Sequence, residues 1–402
     1  NCMNTLNENP SQAEIKFNMF VLGFRPFFLA AGVFSIVCMS AWMAIYGAGL
    51  QISITGLPSS YWHAHEMLYG YTMAVVAGFL LTAIKNWTGQ QTIQYTALLM
   101  LCLMWLGARA CMLLGANFFI PAAMLDLGFN FCLLLAVLVP VFKVKQWRQA
   151  GIVLVIFLMA LFNTLFYLGV FGVVDAGTYW GIYGALFLLL ALVMIMLRRV
   201  MPFFIEKGLD ETVQLKNSLF LDSASIVLFL LFGINEVFIL DVMTSSYLAL
   251  LLFIVSSARL YNWYAKGIWR KPLLWGIYSA FMVITLGFLL FALVPYVDVV
   301  TRSLSIHAFT LGGFGLLTLS MMSRVTLGHT GRGVKQPSSW ITVAQWLLVM
   351  GIISRVVVPL FFQRFYLESV FMSQLLWIIG FAIFLVVNVP FLTKVRADAA
   401  EG

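Results

Sequence analysis

Charge is what this sequence has least of. Only 9% of its 402 residues are Asp, Glu, Lys or Arg, against about a quarter in soluble globular chains, and that shortage excludes a water-soluble domain. Metal-type cysteine patterns are missing as well. Cys2, Cys38, Cys102, Cys111 and Cys132 form no CxxC pair, and four of them sit in apolar runs, where a thiol behaves as a small hydrophobe. Histidine is equally scarce, with four in the chain. The net charge of +8 would point to nucleic acid in a soluble protein. Here the basic residues cluster in short loops between apolar runs, as membrane insertion requires, so no nucleic-acid partner is implied.

What is there in abundance is hydrocarbon: 62% of residues are hydrophobic. Runs of about 20 apolar residues, each able to cross roughly 30 Å of bilayer core, fall near 27 to 48, 63 to 84, 95 to 114, 119 to 142, 151 to 173 and 178 to 200. Six more follow near 218 to 238, 245 to 265, 272 to 294, 303 to 325, 339 to 362 and 369 to 392. The fold expected is an all-α membrane protein of twelve spans. It forms one polytopic domain over 1–402, with a polar segment 1–25 ahead of the first span and a tail 393–402. The first run follows a polar lead and precedes many others, so it reads as a span and not as a cleaved signal.

Basic residues alternate by loop. Eighteen of the 23 Lys and Arg fall on one side, including Lys85, Lys143, Arg199, Lys271, Lys335 and Lys394, while Arg302 and Arg364 alone occupy the opposite loops. Both termini are therefore expected in the cytoplasm. Arg109, Arg259 and Arg355 lie inside spans.

The second and tenth spans repeat the spacing H-x4-G-x17-T-G. At an offset of 242 residues, His65 meets His307, Gly70 meets Gly312, and Thr88-Gly89 meets Thr330-Gly331. The stretch Arg25-Pro26-Phe27-Phe28-Leu29 resembles Arg270-Lys271-Pro272-Leu273-Leu274, and Arg109 matches Arg355 at a similar offset. Spans 1 to 3 thus read as duplicated in spans 9 to 11, an arrangement that suits three four-helix units around a central axis.

An ionisable side chain in hydrocarbon costs roughly 3 kcal/mol or more, so those that persist face the bundle interior and find partners. Span direction places His63, His65, Glu66, His307, Arg109 and Arg355 at the outer end. Two imidazoles at equal depth on different helices are the donor set of a bis-histidine haem. On the repeat, that pair is His65 with His307. Arg109 and Arg355 would hold the propionates, because guanidinium grips carboxylate bidentately. His63 is two residues from His65 and so points about 200° away; it reads either as a second metal ligand or as a structural hydrogen bonder. Glu66 reads as an arginine partner, or as a proton carrier or support for a metal ligand. His329 lies at the far end beside Arg324 and Arg332, as a further metal ligand or a loop anchor, and Asp222 with Arg259 or Arg199 reads as a structural ion pair. The 20 methionines are spread as gap fillers.

The blocks GFRPFF (Gly23 to Phe28), WHAHEMLYGY (Trp62 to Tyr71), GFLLTAIKNWTG (Gly78 to Gly89) and HAFTLGGFGLLTLSMMSRVTLGHTGR (His307 to Arg332) together resemble the NnrS family. The resemblance implies a multi-pass protein of the bacterial inner membrane in the nitric oxide response, with haem and copper and a protective role against nitrosative stress. It makes His63, His65, His307 and His329 the cofactor and metal candidates. The layout is also similar to haem-copper oxidases and nitric oxide reductases. Those carry further histidines on helices 6 and 7, where this chain has none.

Three functions stay open on the sequence. The first is a haem protein, b-type, that binds, turns over or protects against nitric oxide; if an enzyme, it would be a haem-dependent oxidoreductase, with no residue assigned as catalytic. The others are a transporter of a metal or metal-nitrosyl complex, and a non-catalytic haem sensor or scavenger.

Overall fold

A computed structural model describes residues 19–47, 49, 57–394, 396 and 397. Most of the polar lead 1–25 and most of the tail 393–402 lie outside the described residues. Among the described residues, twelve helices are long and apolar enough to cross a membrane: α1 Phe24–Gly47, α2 Ser59–Thr88, α3 Tyr95–Leu114, α4 Ala116–Lys143, α5 Trp147–Val170 and α6 Gly177–Gly208. The second six are α7 Leu219–Ile239, α8 Val242–Asn262, α9 Pro272–Leu293, α10 Arg302–His329, α11 Ser339–Phe361 and α12 Gln363–Thr393. No strand occurs among the described residues. In hydrocarbon only a closed hydrogen-bonding pattern survives, and the helix supplies it within each segment.

Polar punctuation sets the ends. Ser218, Asp241, Thr301 and Ser338 precede α7, α8, α10 and α11, and each accepts a hydrogen bond from a first-turn amide, filling donors that a helix start leaves free. Pro272 opens α9, where its missing N–H is not needed. Arg25 sits in the first turn of α1, two residues before the sequence-read start of that span, and Nη1 donates to the carbonyls of Leu392 (3.0 Å) and Lys394 (2.7 Å). It thereby caps the carboxyl end of α12 and ties the last helix to the first.

The helices form a ring in which α4 packs on α5, α8 on α9 and α12 on α1. Other consecutive helices, among them α3 with α4, α5 with α6 and α11 with α12, pack as closely, so the four-helix period shows in burial and not in these contacts. The most buried spans are α2, α10 and α6, at 83%, 72% and 67% of their apolar windows, against 33% for α3, α7, α8 and α12. The second helix of each unit therefore lines the middle, which explains why α2 and α10 tolerate polar residues: they meet protein instead of lipid.

Four spans contain π-helical turns. They cover Glu66–Thr72 in α2, Asn235–Ile239 in α7, Thr310–Leu316 in α10 and Ile353–Val357 in α11. Such turns loosen the α ladder and re-aim the side chains before them. In α2 two of the carbonyls involved gain side-chain donors: the Thr72 hydroxyl donates to Met67 O (2.8 Å) and the Trp105 indole to Gly70 O (3.0 Å).

Candidate functional site

The two long π turns re-register the repeat. Each spans seven residues, and Glu66 to Thr310 is an offset of 244, as is Thr72 to Leu316. At that offset His63, not His65, falls on His307. The inner ends keep the offset of 242, because Gly89 (φ +67°) and Gly331 (φ +71°) both close their helices in the left-handed conformation that glycine adopts freely. The stretch between π turn and closing glycine is two residues shorter in α10. That slip is why one offset read from Thr88-Gly89 and Thr330-Gly331 pairs His65, and not His63, with His307.

His63 and His307 line one cavity of about 330 Å³ at the outer end of α2 and α10, near the lower limit for small-molecule sites. The His63 ring stacks on Trp42 of α1 (4.5 Å, 10°); its Nδ1 is buried without a hydrogen-bond partner. His307 Nδ1 lies 2.7 Å from the carbonyl of Ser303. A carbonyl only accepts, so this nitrogen carries the proton and Nε2 keeps its lone pair. An imidazole anchored in this way is prepared as a ligand.

Arg355 is the third ionisable residue on the cavity wall. It is 7% exposed, and Nη2 sits 3.3 Å from Ser303 Oγ, 3.4 Å from the Tyr366 hydroxyl and 3.3 Å from His307 Nδ1. The last is an approach of two donors, given the proton on Nδ1. Nη1 is buried with no partner, and no carboxylate pairs with Arg355 among the described residues. A buried guanidinium without an anion is costly, so negative charge in the cavity would be stabilised there.

His65 points the other way, as the 200° separation requires. Nδ1 is 2.9 Å from Glu66 Oε1, while Nε2 is 3.1 Å from Asn163 Oδ1 and 3.5 Å from Asp126 Oδ2. The ring stacks on Phe166 (4.1 Å). Both nitrogens face oxygen acceptors, so neither offers a free lone pair to a metal. Arg109 spans the two acids, 2.5 Å from Glu66 Oε1 and 2.6 Å from Asp126 Oδ2, and the Tyr167 hydroxyl donates to Asp126 (3.1 Å). His65, Glu66, Arg109 and Asp126 are all within 1% of complete burial.

Two expectations change accordingly. His65 and His307 are not brought to one cavity, and Arg109 pairs with two carboxylates away from the cavity that His307 lines. Glu66 is the arginine partner that its position suggested. Sequence reading missed Asp126, Asn163 and Glu236; the signal for the acids was available, since each is a carboxylate in an apolar run. Glu236 receives Arg302 at 2.6 Å (Nη2 to Oε2).

Asp222 pairs with Arg259 and, at 2.6 Å, with Arg198 instead of Arg199. His329 is far from the outer cavity, against Phe24 (5.7 Å), and Arg324 packs on the Phe204 ring (4.0 Å) without an ion pair. No group of three or more His, Cys, Asp or Glu with metal-holding geometry occurs among the described residues.

The family model described as NnrS protein matches residues 18–396. The chain belongs to the NnrS family. That match covers all twelve spans, so outer cavity and buried ion network are both parts of an NnrS protein. No curated protein matches the chain.

Proposed function

We propose that this NnrS protein holds a haem in its outer cavity, between His63 and His307, and acts in the nitric oxide response of a bacterial inner membrane. One observation carries the proposal: two imidazoles from different helices, one with a lone pair freed by its backbone anchor, share a cavity with a buried arginine that lacks an anion. A bis-histidine haem uses those parts together, two nitrogen donors and a cation beside a propionate. Bound there, it would supply a redox-active iron, open to nitric oxide once one of the two histidines gives way.

The chain's own residues do the rest. Ser303 orients His307, Trp42 fixes the plane of His63, and Arg355 neutralises a carboxylate. Apolar walls from Leu68, Leu186 and Phe314 exclude water. No third His, Cys, Asp or Glu joins the two histidines among the described residues, so the cavity would offer copper two nitrogen donors.

A pyridine haemochrome assay with metal analysis of the purified protein tests this directly. We expect about one b-type haem per chain, with a Soret band lost or shifted in His63→Ala and His307→Ala. His65→Ala protein that still folds should keep the parent band position. Absence of haem, or unchanged spectra in both cavity variants, refutes the assignment.

A further inference from the structure

A second cavity, of about 530 Å³, lies at the opposite end of the same three central helices. Its lining runs from Phe79 to Trp87 on α2, Arg199 to Phe204 on α6 and Met321 to His329 on α10. All three helices run in one direction and contribute their last third, so the cavity opens at the face with the basic loops. Along α2 it begins seven residues beyond Thr72, the last residue of the outer cavity, or about 10 Å at 1.5 Å per residue. The two sites are separate.

This inner groove is amphipathic along its length. Phe79, Val200, Phe203, Met321 and Val325 form apolar walls, and Asn86, Arg199 and His329 form a polar end. Phe203 is 56% exposed, so the apolar half opens to the lipid side instead of closing into a core.

Arg199 is not a loose orientation signal. Its Cζ sits over the Trp87 ring, 3.9 Å from the centroid, and the guanidinium donates to Gln149 Oε1 at 2.9 Å; Trp87 is in turn held by Gln146, which donates to its carbonyl at 2.6 Å. Stacking and one hydrogen bond leave the remaining N–H groups of the fork for a ligand. Arg148 is a charged neighbour of Arg199, and Lys85 and Arg396 are charged neighbours of His329. No carboxylate lines the groove. Arg148, Arg199 and Arg324 form no ion pair among the described residues.

A fixed cation and its basic neighbours at the membrane edge, continuous with an apolar slot, match a ligand that is anionic at one end and hydrocarbon at the other. Basic pockets between spans on the cytoplasmic side have the chemistry to hold phosphate headgroups. We infer that the inner groove is a binding site for an anionic diacyl phospholipid, its phosphate on Arg199 and one acyl chain between α6 and α10.

The test uses the full chain purified in neutral detergent. Retained lipid is counted by native mass spectrometry, and thermal stabilisation is followed on adding phosphatidylglycerol or phosphatidylcholine. Arg199→Gln removes the phosphate contact and Val200→Trp narrows the acyl slot; should one of them fail to fold, the other carries the test. Arg270→Gln removes an exposed charge outside the groove and controls for general surface attraction.

The wild type and Arg270→Gln should retain about one anionic lipid and be stabilised by phosphatidylglycerol alone. The two groove variants should bind it at least tenfold more weakly. Equal retention in the groove variants, equal loss in Arg270→Gln, or full displacement by millimolar inorganic phosphate would each overturn the inference, the last by showing a headgroup site that needs no acyl chain.

Discussion

At residue scale, His63 and His65 show one side chain type put to two uses by its surroundings. His63 meets an indole and open space; His65 meets two carboxylates, an amide and a phenyl ring. Within the cavity the two candidate ligands also differ. His307 is anchored through Nδ1 and His63 is not, so His307→Ala should lower haem content more than His63→Ala. Haemochrome assays of the two purified variants check this, and equal content in both would remove the distinction. Truncating the ion network acts on folding instead. Asp126→Ala leaves Arg109 buried beside one acid, and removing one partner of a buried pair costs about 3–5 kcal/mol. Melting of Asp126→Ala should therefore fall sharply, while the haem per folded chain stays near the parent value.

The helices carry the cavity through their π turns. In α2 the turn begins three residues after His63, and in α10 three residues after His307, so each turn sets the rotation of its histidine against the rest of the helix. Deleting Met67 should restore α geometry and swing His63 by about 100°. The same holds for Leu311 in α10. Either deletion should abolish the Soret band in protein that retains its helical circular dichroism; a retained band would show that the turns do not aim the ligands. The cross-helix hydrogen bond between the Tyr71 and Thr318 hydroxyls (2.6 Å) joins the two helices just inside the cavity.

At the scale of the whole molecule, the basic loops gather on one face. Asp210, just after α6, receives Lys271 Nζ at 2.7 Å and Lys335 Nζ at 3.2 Å, linking the end of α6 to the loops before α9 and α11. Hydrogen bonds from Lys271 and then Lys335 hold the Asp210 carboxyl below its usual range. A lowered folded-state value adds stability above the unfolded value, about 3.9, and loses it as pH falls through the folded value. Asp210→Asn should thus melt slightly below wild type at neutral pH, with a gap that closes below about pH 4. The gap should be small because the pairs are solvent-exposed. A gap independent of pH would point to packing instead of charge.

Sequence alone determined the twelve spans and their alternating basic loops, because both follow from composition over windows of about 20 residues, and hydrocarbon imposes helix on any such window; the repeat came from motif spacing. It also determined that His63 and His65 diverge, since helix geometry fixes that angle. Only the tertiary structure decided which of them faces His307. The answer depends on two π turns and a two-residue slip in helix length, which leave no trace in hydrophobic periodicity. The partners of Arg109 and the isolation of Arg355 were likewise hidden. Asp126 is on α4 and Glu66 on α2, and whether an intramembrane arginine meets a carboxylate depends on which neighbours the ring of helices delivers to it. Sequence placed both arginines at the outer end; packing left Arg355 alone without its anion.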